Sequence, residues 1–456
     1  MRKTSVGELG VLAVPRFRFL SPVAPFAYAA LAASTILKHE PWADEAQAWL
    51  LARDSSLPAL WSHLLHYEGT PGLWHTLLFA LTRLHMPYAG LSFFSGLLGL
   101  AAACLVFRCS PFPFAIRLAL PFTYFLAYQY CVVARSYSLL PVLLFAAAAL
   151  YRSRGGHPWV YTALLCLLAA VSVHGLVLSA GLAATSWRRR WLLVYAAAAA
   201  LCAWAAWPAQ DVTFVRHFNF TGEHFRLTAA RMLASAFTGE WMSSLAVLLA
   251  TLPFLARGGG LPFFGFSAAG LMILTAVVYG QVWHYGILLL AWIFALWISA
   301  ERTNMGWLAG TAVGAVLAIQ CYWTAGSIRY DLRFPYSGSR AAAGFMAARS
   351  VPLAGVYGVG YAVVAVQPYF PRNVFSNFET AYWDWSSRNH MIADYENLEH
   401  RRPAWVLVGY KTAEENYLWN SQVRRSGYRV VKHFEGNLVW EGEVFEPESF
   451  DLYRRQ

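Results

Sequence analysis

The sequence predicts a polytopic α-helical membrane protein whose residues 326–456 form a separate α/β domain, and three observations predict this fold class. Of the 456 residues, 58% are hydrophobic and only 13% are charged, whereas soluble globular chains carry about 25% charged residues. Apolar stretches of roughly 18 or more residues recur up to about residue 323, and each can cross a bilayer core. Finally, residues 1–325 hold 20 Lys and Arg but 10 Asp and Glu, whereas the remainder holds 15 and 14.

We predict about eleven membrane spans in residues 1–325. The predicted spans are 19–37, 90–107, 113–130, 137–150, 158–174, 175–187, 191–208, 240–255, 261–279, 284–300 and 305–323. The first two spans enclose a long loop, residues 39–89, in which two helices, 45–65 and 71–84, are expected to lie in the membrane interface. Long loops of this kind are usually functional.

The distribution of charge predicts the orientation. Thirteen of the twenty basic residues before position 325 fall in loops on the side of the N-terminus, and eight of the ten acidic residues fall on the other side. The positive-inside rule therefore places the N-terminus in the cytoplasm, and an odd number of spans places the C-terminal domain outside. This asymmetry also explains the net charge of +11, so membrane lipids are expected partners and nucleic acid is not.

The strongest candidate site lies in the first loop, in HEPWADEAQAWLLARD (residues 39–54). Asp44 and Glu45 open a helix just beyond the first span, where the helix dipole alone favours carboxylates. At the outer membrane surface the same pair could act as a general base or bind a divalent cation, and both interpretations are open. Glu68, in HYEGTPGLW (residues 66–74), is expected on the same surface, either as a solvated acid or as a substrate ligand.

Further candidates follow along the chain. Arg135 and Tyr137, in CVVARSYSLLP, stand at the outer end of two spans, where the arginine either snorkels or clamps a lipid-linked phosphate. His284, in YGQVWHYG, is either a residue of the interfacial aromatic belt or a ligand of a polyprenyl phosphate. Asp211 and Arg216 belong to a second external loop, residues 208–226, whose mixed composition is more typical of solvated surface.

The C-terminal region reads as an α/β domain. The predicted strands are 355–360, 362–367, 405–409, 428–434 and 438–441, with a helix at 412–426. Its aromatic segment, Tyr382 to Trp385, either stacks on a sugar or packs a small core, and packing is favoured. All six cysteines precede residue 326, so neither a disulfide framework nor a thiolate metal site is expected there.

The order of these motifs resembles the GT-C membrane glycosyltransferases. An N-terminal span is followed by the acidic pair, by an EGxPxLW turn at Glu68 and by an ARxYxL segment at Arg135. The resemblance is closest to bacterial relatives of protein O-mannosyltransferases and of the aminoarabinose transferase that modifies lipid A, and it covers about residues 20–150. One departure is the turn, which usually reads His-Pro-Pro-Leu in these relatives and here reads Thr-Pro-Gly-Leu at residues 70–73.

The resemblance implies a GT-C-like helical bundle in a bacterial inner membrane. It implies inverting transfer from a polyprenyl-phosphate-linked sugar donor to a glycan, lipid or protein acceptor at the outer face. By position Asp44, with Glu45 beside it, maps to the first-loop acidic residue, which in these families is the proposed catalytic base or lies at the metal and acceptor site. An equivalent of the second external loop can contribute to donor or metal binding in such enzymes, which makes Asp211 and Arg216 weak candidates. From their own chemistry, Arg135 and His284 would stabilise the departing phosphate. A divalent cation, Mg²⁺ or Mn²⁺, held by Asp44 and Glu45 stays an open expectation.

Two other classes of function are open. A transporter or flippase also uses intramembrane Arg and His, but the two halves of the chain show no internal repeat and the charges cluster at one membrane face. A noncatalytic membrane scaffold that displays the C-terminal domain would not explain the long acidic first loop. The sequence therefore favours the glycosyltransferase.

Overall fold

The computed structural model describes residues 23–186, 189–213, 221–352, 355–389 and 395–456. Over these residues the chain is mostly helical, and its strands lie in the C-terminal sheet region, which we define as residues 339–456. The predicted division into a long helical part and a C-terminal part with a small sheet is confirmed at this level.

The first half of the helical part surrounds the long first loop. Its helices are α1 (Val23–Ile36), α2 (Ala43–Asp54), α3 (Leu57–Ala59), α4 (Leu65–Glu68), α5 (Leu73–Arg83), α6 (Gly90–Cys109), α7 (Phe114–Ala119), α8 (Leu139–Leu150) and α9 (Pro158–Ala169). A π-helical turn, Leu60–Leu64, joins α3 to α4.

The second half continues into the sheet region. Its helices are α10 (Val173–Ser186), α11 (Arg189–Ala205), α12 (Gly222–Phe237), α13 (Trp241–Gly258), α14 (Leu261–Ile273), α15 (Gly286–Ala300), α16 (Trp307–Asp331), α17 (Ser339–Ala348), α18 (Tyr395–Arg401) and α19 (Ala413–Arg425). Helix α12 was not predicted, and it begins within the predicted external loop at 208–226. The arginines of α12 interrupt its apolar pattern.

Five helical segments of the described chain are long and apolar enough to cross a membrane. They are Gly90–Cys109, Trp241–Gly258, Leu261–Val278, Val282–Ala300 and Trp307–Asp331. Five shorter apolar helices have 10 to 17 residues, so the predicted eleven full spans are not reproduced. The last long helix runs to Asp331 without a break at 325, about two turns beyond the predicted span.

The predicted span at 113–130 is broken. It consists of α7, a 3₁₀ turn at Leu120–Phe122 and a π-helical turn at Phe125–Gln129. Pro121 lies in the 3₁₀ turn, and proline cannot donate the backbone hydrogen bond that would continue the helix. The irregular backbone that follows carries Arg135 at the end of the bundle.

The first loop is covered by protein. The single helix predicted at 45–65 is instead interrupted at Ser55 and Ser56, and the first piece, α2, has nine buried residues out of twelve. Helix α2 packs between α5 and a 3₁₀ helix of the sheet region, Tyr361–Tyr369. Ala43, Ala46 and Leu50 belong to the same buried cluster as the core of the sheet region, so α2 is covered by the sheet region and does not present an exposed apolar face.

The sheet region contains a four-stranded sheet and a hairpin. The strands are β1 (Val356–Val359), β2 (Trp405–Tyr410), β3 (Tyr428–Phe434), β4 (Asn437–Trp440), β5 (Glu443–Pro447) and β6 (Ser449–Arg455). The sheet order is β1-β2-β6-β3, with β1 parallel to β2 and the other pairs antiparallel, while β4 and β5 form the hairpin. Since β1 and β2 are parallel, their carboxyl ends meet at one edge of the sheet.

The strand predicted at 362–367 is wrong, because these residues form the 3₁₀ helix Tyr361–Tyr369. Gly360, with φ of +87°, turns the chain away from the sheet directly after β1, a conformation that favours glycine. The apolar run that follows is buried against α2, α17 and β2. Such a short apolar run does not by itself distinguish a strand from a buried helix.

Candidate functional site

The N-terminus of α2 organises the site, and two carboxylates cap it. Glu45 Oε2 accepts a hydrogen bond from the Trp42 backbone N–H at 3.1 Å, and Glu448 Oε1 accepts one from the Ala43 N–H at 2.7 Å. Both acceptors satisfy donors that a helix start leaves without a partner. Asp44 is not used in capping and directs its carboxylate to a cluster of cations.

Arg135 reaches Asp44 because the irregular segment before α8 is tied to α2. Glu45 Oε1 accepts a hydrogen bond from the Ala134 N–H at 2.6 Å, which places the next residue beside Asp44. Arg135 Nη1 lies 3.0 Å from Asp44 Oδ2, and the guanidinium carbon lies 5.5 Å from the ring centres of Trp42, Tyr137 and Trp283. The sequence prediction that Asp44 and Arg135 share one outer surface is therefore consistent with the geometry.

The sheet region supplies two more groups from its parallel edge. Tyr361 and Lys411 follow the ends of β1 and β2, and Tyr361 Oη donates a hydrogen bond to Asp44 Oδ1 at 3.1 Å. Lys411 Nζ lies 3.6 Å from the same oxygen and 4.2 Å from the centre of the Trp42 ring. We call Asp44, Arg135, Tyr361 and Lys411 the Asp44 cluster.

The cations decide the charge of Asp44. Burial opposes ionisation of this carboxyl, but Arg135 and Lys411 outweigh that effect and hold its pKa below the usual value. Asp44 is therefore ionised at neutral pH and is a weak base. With one carboxylate and two cations, the cluster carries an excess positive charge.

Glu68 lies next to the cluster, although it is 24 positions away from Asp44 in the chain. Gln47, one turn after Asp44 on α2, donates from Nε2 to Glu68 Oε1 at 2.8 Å and to the Trp383 carbonyl at 2.9 Å. Burial is the largest influence on Glu68, with a smaller contribution from the charge of Asp44, and together they raise its pKa to about 7. Glu68 is thus a carboxyl that exchanges a proton near neutral pH.

Tyr137 and His284 extend the site toward the helical bundle. The Gln281 backbone N–H donates to His284 Nδ1 at 3.0 Å, so the other ring nitrogen carries the proton in the neutral imidazole. That nitrogen lies 2.6 Å from Tyr137 Oη, which leaves the tyrosine hydroxyl proton directed elsewhere. The His174 ring lies 4.3 Å from the His284 ring, centre to centre.

Glu45 differs from its neighbour in the chain. It is fully buried, and its oxygens contact Ala134 N, Trp42 N and His39 Nε2, the last at 3.3 Å. These contacts give it a positioning role, and no substrate atom can reach it without displacing them. The sequence grouped Glu45 with Asp44 because adjacent residues on a helix were not assigned to different faces.

The same contacts decide whether Asp44 and Glu45 are suited to bind a divalent cation. Asp44 is neutralised by Arg135 and Lys411, and the oxygens of Glu45 face N–H groups. In the part of the chain that the structure describes, no group of three or more His, Cys, Asp or Glu side chains is placed to hold a metal ion. This donor set does not fit Mg²⁺ or Mn²⁺.

Asp211 lies apart from the Asp44 cluster. Its Oδ1 accepts a hydrogen bond from Tyr67 Oη at 2.7 Å, and Arg388 Nε lies 3.9 Å from Oδ2. Arg216, predicted beside it, lies outside the described residues. Asp211 therefore joins the segment after α11 to α4 and to the segment around Arg388.

Sequence reasoning missed Lys411 and Tyr361. Lys411 is one of only four lysines in the chain and directly follows a buried apolar strand, which is a detectable signal. If β1 and β2 had been predicted as a parallel pair, Tyr361 and Lys411 would have been placed at one edge of the sheet. The incorrect assignment of 362–367 as a strand prevented that prediction. No signal within the first loop pointed to either residue.

No protein-family model, curated protein or solved structure matches the chain. What the site can do follows from its own groups: an ion-paired cluster with excess positive charge, an aromatic surround and a carboxyl that titrates near pH 7. Such a site suits binding of an anionic group together with proton transfer from a neighbouring hydroxyl.

Proposed function

We propose that the protein is a membrane glycosyltransferase of the GT-C type, which moves a sugar from a polyprenyl-phosphate donor to an acceptor hydroxyl at the outer membrane face. The observation that carries the proposal is the Asp44 cluster beside Glu68, at the boundary between apolar helices and the sheet region. A lipid-linked phosphate would enter this boundary from the membrane side, and the acceptor from the sheet region.

Arg135 and Lys411 are the groups suited to the leaving phosphate. Arg135 Nη1 is buried and has no hydrogen-bond acceptor among the described residues, although it forms the ion pair with Asp44. A guanidinium with donors to spare matches phosphate oxygens, and its aromatic surround excludes water that would weaken the interaction. Asp44 orients both cations.

Glu68 is better suited than Asp44 to accept the proton. A general base works best with a pKa near the operating pH, and Glu68 has a pKa of about 7 whereas that of Asp44 is lowered. In the transfer, the acceptor oxygen forms a bond to the anomeric carbon and its proton passes to Glu68. The bond from that carbon to the phosphate oxygen breaks, and its electron pair leaves with the polyprenyl phosphate.

The pH dependence of transfer distinguishes the two carboxylates. We expect kcat/KM to rise with pH and to reach half its plateau at about pH 7, because Glu68 must be deprotonated to act. If Asp44 were the base, kcat/KM would already be at its plateau well below neutral pH. The measurement is transfer of radiolabelled sugar from a panel of polyprenyl-phosphate donors by the protein in nanodiscs, between pH 5 and 9.

Glu68→Gln tests the same assignment by substitution. Glu68→Gln is expected to lower kcat about a hundredfold and to abolish the rise near pH 7. Asp54→Asn, an exposed acid on the same loop that pairs with Arg53 at 2.7 Å, is the control and should leave the profile unchanged. A parent protein that consumes no donor would overturn the proposal and favour transport or a scaffold.

Chelation gives a second prediction. Because the cations beside Asp44 are side chains, we expect EDTA to change transfer by less than about twofold, and Lys411→Ala to lower it about tenfold. Activity that disappears with EDTA and returns with Mg²⁺ or Mn²⁺ would contradict the assignment of Lys411 as the second cation.

A further inference from the structure

A cavity separate from the Asp44 cluster opens between the first loop and the sheet region. Its volume is about 120 Å³, and its walls come from α4, from the turn before it and from residues 379–385. In this measure one water molecule needs about 10–15 Å³, so the cavity is several times larger than a water site. A group the size of a sugar ring fits it.

The aromatic residues of the cavity are held in place. Trp383 is buried in the core, and both its backbone N–H and its carbonyl are hydrogen-bonded to the Gln47 side chain, at 2.7 and 2.9 Å. Tyr382 and Trp385, on either side of it, are only half-buried and line the cavity. The sequence favoured packing for this segment, which holds for Trp383, whereas its neighbours present aromatic surface to open space.

The polar lining selects against anions. Three carboxylate residues, Glu68, Glu379 and Asp384, face the cavity and no Lys or Arg lines it. Asp384 accepts hydrogen bonds from the backbone and hydroxyl of Ser386, and Glu68 accepts them from Gln47 and Trp385, so a ligand shares these carboxylates with protein donors and also meets Glu379. Hydrogen-bond acceptors beside aromatic surface suit a neutral ligand that has many hydroxyl groups and apolar C–H faces.

The cavity adjoins the Asp44 cluster without sharing its residues. The Trp385 ring lies 4.9 Å from the Tyr361 ring, centre to centre, and Tyr361 donates to Asp44. Glu68 belongs to the cavity wall and is linked through Gln47 to α2. A hydroxyl of a ligand in the cavity therefore comes close to the carboxyl that titrates near neutral pH, while phosphate is directed to Arg135 and Lys411.

We infer that this cavity binds an uncharged sugar residue of the acceptor, so that the acceptor is a glycan, with Trp385 and Tyr382 contacting the ring and Glu68 contacting the attacking hydroxyl. The inference rests on the proposed function for the role of the bound sugar as acceptor. The binding site itself is independent of it, because the cavity requires neither Arg135 nor Lys411. The donor phosphate and the uncharged acceptor sugar then lie on opposite sides of Glu68.

Binding can be measured without transfer. Maltotriose, mannotriose and chitotriose are added to the full-length protein in nanodiscs, and saturation-transfer difference NMR and titration calorimetry report contact and affinity. We expect at least one trisaccharide to bind the parent, and Trp385→Ala to weaken that binding about tenfold. Tyr382→Ala, from the opposite side of Trp383, should weaken it as well and serves if Trp385→Ala does not fold.

Tyr417→Ala is the control, because Tyr417 is a 72% exposed aromatic residue of the same region and lies outside the cavity lining. In transfer assays Trp385→Ala should raise KM for a glycan acceptor about tenfold with kcat nearly unchanged. If no trisaccharide binds, or Trp385→Ala and Tyr382→Ala bind as the parent does, the inference is wrong. Donor consumption with a lipid or protein acceptor would then still support the proposed function, whereas binding without donor consumption would refute that function alone.

Discussion

Replacing Arg135 by alanine is expected to lower the rate of sugar transfer about a thousandfold, the range seen when a preorganised donor to a developing anion is removed. Arg135 is 18% exposed and surrounded by three aromatic rings, so few water molecules can replace its donors. Its loss also leaves Lys411 as the sole cation within 4 Å of Asp44 among the described residues. The measurement is kcat for a fixed polyprenyl-phosphate donor at pH 8.

Two variants separate charge from geometry at this position. Arg135→Lys keeps the charge but loses the planar fork of donors, so we expect an intermediate loss of about tenfold to a hundredfold. Arg53→Ala removes a comparable arginine–carboxylate pair, Arg53 Nε to Asp54 Oδ1 at 2.7 Å, from the surface of the same loop. Its rate should stay within about twofold of the parent, since surface ion pairs of this kind contribute little.

The outcome for Arg135 is interpretable only if the variant folds. Helix α2 is capped by Glu45 and Glu448 without help from Arg135, and Lys411 stays beside Asp44, so Arg135→Ala should fold, with a thermal unfolding midpoint lowered by the loss of one partner of a largely buried ion pair. A folded Arg135→Ala protein with parental kcat would refute the assignment of this residue to the leaving phosphate. Loss of activity together with unfolding would show that Arg135 is structural, and that result too contradicts the assignment.

The sequence was sufficient to predict the parts of the site that adjoin the ends of predicted spans. A carboxylate pair after the first span and an arginine before α8 were both assigned to one surface, and the structure brings Asp44 and Arg135 within 3.0 Å. Charges in an otherwise apolar chain are easy to detect, because burying them needs a compensating partner. This rule predicted that partners exist, although it did not identify all of them.

The remaining parts of the site depend on contacts distant in the chain. Lys411 and Asp44 are separated by more than 360 positions, and Tyr361 is concealed in an apolar run that periodicity alone does not assign. Their approach requires that α2 be buried under the sheet region, whereas its composition suggested a helix on the membrane surface. Pairing of this kind is a property of tertiary packing, which overrides local pattern.

A second expected result concerns stability. Replacing His39 by alanine should lower the free energy of unfolding by about 4 kcal/mol, as expected when one partner of a buried ion pair is removed. The His39 side chain is fully buried, with Nδ1 2.8 Å from Asp331 Oδ2 and Nε2 3.3 Å from Glu45 Oε2. It thereby joins the ends of α1 and α16 to the start of α2. Asp331 lies at the C-terminus of α16, where the helix dipole disfavours a negative charge, and His39 offsets that effect.

The pH dependence of this contribution has a definite sign. Burial lowers the pKa of His39, but Asp331 and Glu45 outweigh that effect and raise it to about 10. Since the folded value exceeds the unfolded value of about 6.5, the stabilisation is complete below about pH 6.5 and is lost as the pH rises through 10. The difference in unfolding free energy between parent and His39→Ala should therefore shrink steadily between pH 7 and 10.

Unfolding by SDS in mixed micelles measures both effects. His157→Ala is the control, because His157 is exposed and its side chain makes no capping hydrogen bond to α9. Combining His39→Ala with Asp331→Asn should cost less than the sum of the single changes, since the buried charge left by the first is removed by the second. Additive losses, or a difference that stays constant up to pH 10, would show that His39 acts through packing and not through its charge.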